Sequence, residues 1–153
     1  MPQESHPYSL NRDEHLKRSK LISALFVQNR DVRANPIKAL YATEPSDAFS
    51  FQVGFSAPKK IHHFAVDRNR NKRLMREAFR LNRSLLTDAL ADCPVKLTFM
   101  LIAQNSSEMT FAEVEGRVKQ ILTRLAEKVK KEVGWISNWI LSLTKRTQIY
   151  PKK

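Results

Sequence analysis

Between Lys59 and Arg83 the chain carries nine Lys or Arg residues and only two acids, Asp67 and Glu77. Guanidinium and ammonium groups at this density can neutralise a run of phosphates, and Arg adds a planar fork that matches two phosphate oxygens at once. Wound as an α-helix from Asn69, the segment puts Arg73, Arg76, Arg80 and Arg83 within about 40° of one line. Leu74, Ala78, Leu81 and Leu85 gather on another side, which predicts an apolar seam for docking on a core. A solvated helix face usually mixes both signs. Here two acids face nine cations, so repulsion along the row favours a polyanionic ligand.

Other chemistries find little support in the residue pattern. His62 and His63 are adjacent, and a lone pair of this kind reads as loop or surface rather than as a catalytic couple. The fifteen acids are scattered without metal-ligand spacing, so neither a carboxylate cluster for Mg²⁺ nor a paired acid and base stands out. Cys93 is the single cysteine, which rules out an intrachain disulfide and suits a reducing compartment.

Elements able to position the basic row follow from periodicity. The 153 residues suit one domain of residues 15–133, with a flexible lead-in over 1–14 and an extension over 134–153. Ser19 is placed to cap a short helix carrying Leu21, Ile22, Leu25 and Phe26 and ending near Asn29. Ile37–Thr43 predicts a strand. Phe49–Ala57 predicts another, with Phe49, Phe51, Val53, Phe55 and Ala57 on one face and Ser50, Gln52, Gly54 and Ser56 on the other, a small polar face able to floor a groove. A further short strand is expected near Val32 or Phe64. The basic helix spans Asp67 to Leu86, and Val95–Ala103 is apolar on nearly both sides, as a central or covered strand is. Thr110 and Glu113 form a capping box ahead of a long helix marked by Phe111, Val114, Val118, Ile121, Leu122, Leu125 and Val129.

After Gly134, the stretch Trp135–Leu143 reads as a second amphipathic element. Packing on the domain's own surface is favoured there over a membrane or partner contact, since ten residues cannot span a bilayer. The N-terminus lacks the build of a secretory signal. Together with a net charge of +12 and a pI near 10.1, this predicts a soluble cytoplasmic protein whose partner is nucleic acid or an acidic membrane, between which charge alone does not choose.

One motif is more specific than charge. The string Gly54-Phe55-Ser56-Ala57-Pro58-Lys59-Lys60, followed by Ala65-Val66-Asp67-Arg68-Asn69-Arg70-Asn71-Lys72-Arg73-Leu74-Met75-Arg76-Glu77-Ala78-Phe79-Arg80, closely resembles the protein component of bacterial ribonuclease P. The likeness runs from about residue 16 to residue 131. It implies an α+β fold, an α/β sandwich of order α-β-β-β-α-β-α with a left-handed β-α-β crossover. Sequence rules alone would predict the right-handed connection.

The resemblance also implies a role. Such proteins assist a catalytic RNA that removes the 5′ leader from precursor tRNA, so no catalytic residue is expected in the protein, and Mg²⁺ is expected to be bound mainly by RNA. It assigns contact with the RNA subunit to Lys59, Lys60, Arg68, Asn69, Arg70, Lys72, Arg73, Arg76 and Arg80. It assigns the leader to a cleft between the first helix and the sheet, at Ile22, Phe26 and Tyr41, with Ile22 standing where an aromatic is common. The alternative is a basic ribosomal or other RNA-binding protein without processing activity.

Overall fold

The computed structural model describes residue 10 and residues 12–104 and 109–148, the stretch 135–148 by its backbone alone. Most of the lead-in and residues 149–153 therefore lie outside the described residues. Four strands form one mixed sheet: β1 (Asp31–Ala34), β2 (Ile37–Pro45), β3 (Ser50–Ser56) and β4 (Val95–Ala103), in the spatial order β1-β2-β4-β3. β1 and β2 are an antiparallel hairpin closed at Asn35-Pro36, whose peptide bond is cis. β4 pairs antiparallel with β2 and parallel with β3, so it is central, as its two-sided apolar character requires. The chain passes from β3 to its parallel neighbour β4 through α2 (Ala65–Asn82) and the short α3 (Ser84–Thr87).

Strand alternation then divides two layers. Ile37, Ala39 and Tyr41 of β2, with Leu97, Phe99 and Leu101 of β4, belong to the main core beneath α2, α3 and α4 (Phe111–Gln148). Leu40, Met100 and Ile102 point the other way and meet Leu25 of α1 (Ser19–Gln28) together with Leu16. The expected strand near Val32 is β1; Phe64 lies outside any strand.

Four expectations need correction. Helix α1 begins at Ser19 itself, because Arg18 occupies the capping position in extended conformation without a side-chain cap, whereas its end at Asn29 is a left-handed cap bonded to the Leu25 carbonyl. The basic helix begins at Ala65, two residues before Asp67. Its buried seam is Met75, Ala78 and Phe79, continued by Leu86 of α3, while Leu81 and Leu85 are exposed and Leu74 half-buried. Phe79 decides this: its ring meets Phe51 and Phe99 edge-on, each at 5.6 Å, and those contacts turn the helix away from the position a leucine seam would set. Finally, the small face of β3 is covered at Gly54, while Ser50 is exposed, Gln52 and Ser56 are half-buried and Gln52 lines a shallow pocket with Asp13, His15, Lys17 and Arg18. Leu16 donates its N–H to the Val53 carbonyl and lies over Gly54, where an added Cβ would meet Leu16 Cδ2 at 3.4 Å and Met100 Cε at 3.2 Å.

The capping box forms as expected, with Glu113 N–H donating to Thr110 Oγ1 and Thr110 N–H to Glu113 Oε2. From there Val114, Val118, Ile121, Leu122, Leu125 and Val129 are buried along one line. No separate element starts after Gly134; α4 runs on to Gln148. A lone glycine costs a helix only about 1 kcal/mol, and no proline follows until Pro151, so nothing local stops it.

Candidate nucleic-acid interface

The basic face is built from the turn after β3 and the outer side of α2. Pro58 accepts from the N–H groups of Ile61 and His62, making a tight turn that leaves Lys59 and Lys60 exposed. His62 folds inward and is buried. Its Nε2 donates to the Ala103 carbonyl at 3.3 Å and its Nδ1 accepts from Asn71 Nδ2 at 3.1 Å, which joins the turn to the end of β4 and to α2. Arg68 completes this joint by donating to the carbonyls of His62 at 3.0 Å and His63 at 3.2 Å. Seen this way, His62 holds the turn in place and His63 remains exposed.

The candidate cations divide by partner. Asn69, Arg70, Arg73 and Arg76 are exposed and Lys72 is half-buried. Arg70 reaches the Met109 carbonyl at 3.2 Å, and Arg76 lies 5.7 Å from the centre of the Phe55 ring. Among the described residues none of Lys59, Lys60, Arg70, Lys72, Arg73 and Arg76 is ion-paired. Arg80 instead pairs with Glu77 one turn earlier, and Arg83 pairs with Glu14 at 3.1 Å. The Arg80 hydrogen bond, reinforced by its charge, holds the Glu77 carboxyl below the usual carboxylate range, and Arg80 is raised in turn. Arg80 and Arg83 thus leave the row that the helical period assigned them. Phe64 is a further candidate for contact with RNA: this ring is 71% exposed at the start of α2, and an aromatic immediately ahead of a basic helix was the signal that could have found it.

The three residues assigned to a leader cleft do not come together. Ile22 packs with the smaller core under α1, and Phe26 is 53% exposed at the end of that helix. Tyr41 is 4% exposed and faces the opposite side of the sheet, where its hydroxyl lies between Arg30 and Glu132 and its ring lies 4.6 Å from the Arg30 guanidinium carbon. The period of two along β2 forces this, since Leu40 and Ala42 are the residues turned toward α1. A cleft of about 500 Å³ opens at the edge of β3, lined by Asp13, Glu14, Phe49, Phe51, Arg83 and Thr87 among others, and includes none of the exposed basic row.

The sequence profile described as Ribonuclease P matches residues 10–126. The chain belongs to the ribonuclease P protein family. Its similarity to the ribonuclease P protein component of Porphyromonas gingivalis is 32% identity over 124 residues, covering 80% of this chain and 90% of that protein. The component from Chlorobaculum tepidum is 31% identical over 135 residues, covering 82% and 88%. Among solved structures, the Staphylococcus aureus RNase P protein superposes with a TM-score of 0.56 at 20% identity, covering 73% of this chain and 94% of that one. The Thermotoga maritima RNase P protein gives 0.56 at 20%, covering 72% and 96%. These two share the α+β fold.

Membership accounts for the basic helix and the sheet around it, but the profile ends at Ala126, and α4 continues for another twenty-two residues. Among the described residues no three His, Cys, Asp or Glu side chains gather where they could hold a metal ion. No described helix is long and apolar enough to cross a membrane.

Proposed function

We propose that this protein is the protein subunit of a ribonuclease P ribonucleoprotein in the cytoplasm, binding the catalytic RNA and the 5′ leader of precursor tRNA while RNA carries out the hydrolysis. The observation that carries the reading is the row Lys59, Lys60, Asn69, Arg70, Lys72, Arg73 and Arg76, which has no acidic partner among the described residues and stands on a helix pinned to the core by Phe79. Such a row supplies counterions to RNA without first breaking an internal ion pair. Arg68 supports it by fixing the turn that presents Lys59 and Lys60, and Arg80 joins it where a phosphate displaces Glu77.

Magnesium would, in this reading, be held by RNA phosphates and would supply an activated water there. The protein's own side chains lower the repulsion between catalytic RNA and substrate, which reduces the magnesium that the complex needs. For the leader, Phe26 offers an exposed face on which unpaired bases stack without sequence preference, with Ile22 beside it. Tyr41 enters as the support of Arg30, whose guanidinium it holds at the start of β1.

Reconstitution tests the proposal. Added to the RNA subunit at low magnesium and near-physiological salt, the recombinant protein is expected to stimulate cleavage of precursor tRNA, and the gain should fall steeply as salt rises. A basic ribosomal protein would bind RNA and give no stimulation, and that outcome would overturn the reading.

A further inference from the structure

The last part of α4 has a composition unlike the rest of the molecule. From Val133 to Thr144 twelve residues carry no charge, and from Val133 to Lys153 there is no acid. Cations bracket the uncharged stretch: Lys128, Lys130 and Lys131 before it, all exposed, beside Glu127 and a Glu132 that is paired with Arg30, and Lys145, Arg146, Lys152 and Lys153 after it. On the helix Trp135, Trp139 and Leu143 recur every four residues, with Ile136 and Ile140 beside them, so all five fall within an arc of about 140°.

That arc continues the helical line of Ile121, Leu125 and Val129. Successive turns of α4 reach back along the β1 edge, Arg124 to the Arg33 carbonyl, Lys128 to the Asp31 carbonyl and Glu132 to Arg30, where β1 begins. Beyond Glu132 sixteen residues of helix remain, roughly 24 Å at 1.5 Å each. An unbroken helix cannot turn back onto the domain as a separate element could. The family profile also ends before this segment.

We propose that residues 133–148 form an interfacial helix that docks this protein reversibly on a membrane surface rich in anionic phospholipid. An apolar arc with two tryptophans can enter the headgroup boundary without spanning the bilayer, and the flanking cations match its negative charge. A second copy of this helix would bring like charge against like charge. Single-stranded RNA calls for cations interleaved with the stacking rings, and the uncharged stretch has none. The basic row of α2 meets α4 near its opposite end, through Arg70 to the Met109 carbonyl, so a docked helix leaves that row free for RNA.

Trp135 and Trp139 are the chain's two tryptophans, so their emission reports this segment alone. The full-length protein would be titrated with vesicles of phosphatidylcholine alone or mixed with an equal part of phosphatidylglycerol. With the mixed vesicles the emission is expected to shift to the blue, and apparent affinity should fall about tenfold or more either without the anionic lipid or in the Ile136→Gln/Ile140→Gln variant. Both substitutions place a good helix former in the helix, and a melting temperature matching the parent's confirms that the domain is unaltered. Three results would overturn the proposal: emission unchanged by anionic vesicles, a blue shift that grows with protein concentration in their absence, or a response to single-stranded RNA alone. Binding of the double variant as tight as the parent's would do the same. No RNA subunit enters the measurement, so the outcome is independent of the ribonuclease P reading.

Discussion

Arg70, Arg73 and Arg76 on the one hand, and Arg68, Arg80 and Arg83 on the other, share a residue type and lie within sixteen residues, yet they have different fates. The first three stand exposed with no acidic partner among the described residues. The second three are engaged within the fold, Arg68 with the His62 and His63 carbonyls, Arg80 with Glu77 and Arg83 with Glu14. Counting cations therefore overstates the binding surface. What matters is whether the fold brings an acceptor within reach, and of these acceptors only Glu14 is distant in sequence.

The contrast predicts a large separation under mutation. Replacing Arg70, Arg73 and Arg76 together by Ala is expected to weaken binding to the RNA subunit by about a hundredfold or more near physiological salt and to flatten the salt dependence by roughly two to three phosphate contacts. Melting temperature should barely move, since surface changes of this kind fall within about 0.5 kcal/mol. Arg68→Ala should do the reverse, lowering stability by about 1 kcal/mol through the carbonyls it abandons, with a smaller loss of RNA affinity. Equal effects of the two changes on both measurements would erase the distinction.

A second comparison concerns the leader. Phe26→Ala should reduce the preference for leader-bearing precursor over mature tRNA by about 1 to 3 kcal/mol, the worth of one stacked base, and leave the fold intact because the ring is exposed. Tyr41→Phe keeps the buried ring and removes the hydroxyl between Arg30 and Glu132, so it should cost about 1 kcal/mol of stability and change leader preference less than Phe26→Ala. A larger leader effect from Tyr41→Phe would mean that the two sheet faces act as one site. Binding and melting measured on the same preparations separate these outcomes.

Local signals in the sequence were readable wherever they were also the physical cause. Thr110 and Glu113 cap α4 because their side chains reach each other's backbone N–H, and β4 is central because both its faces are apolar. The exposed part of the basic row was equally legible from period and charge. Long-range partners were not: the Glu14 that engages Arg83 lies 69 residues away, and the Ala103 carbonyl that holds His62 lies 41 away. Face assignments failed for a related reason. A wheel gave Leu74, Leu81 and Leu85 equal weight with any leucine, whereas Phe51 and Phe99 on the sheet selected Phe79. A family motif located Tyr41 in the chain, but only the alternation of β2 decides which face it occupies.

The smallest expected effect sharpens the division most, because it concerns a residue that could belong to either group. Arg80 lies on the helical line of Arg73 and Arg76, and its bond to Glu77 sets it apart from them. Glu77→Gln removes that charge without changing shape and is expected to tighten RNA binding a few-fold and to steepen the salt dependence by about one contact. Acid should act in the same direction. The Glu77 carboxyl is depressed by the Arg80 hydrogen bond, so its contribution to stability is complete above the ordinary carboxylate range and is lost as pH falls through the lowered folded value. The pair is largely exposed, so that loss is small, and the released guanidinium is the more visible consequence. Binding of parent and Glu77→Gln protein to the RNA subunit across a salt series decides the matter. Parallel lines would show that Glu77 does not control whether Arg80 reaches phosphate, whereas a steeper line for the variant would place Arg80 among the phosphate contacts once Glu77 releases it.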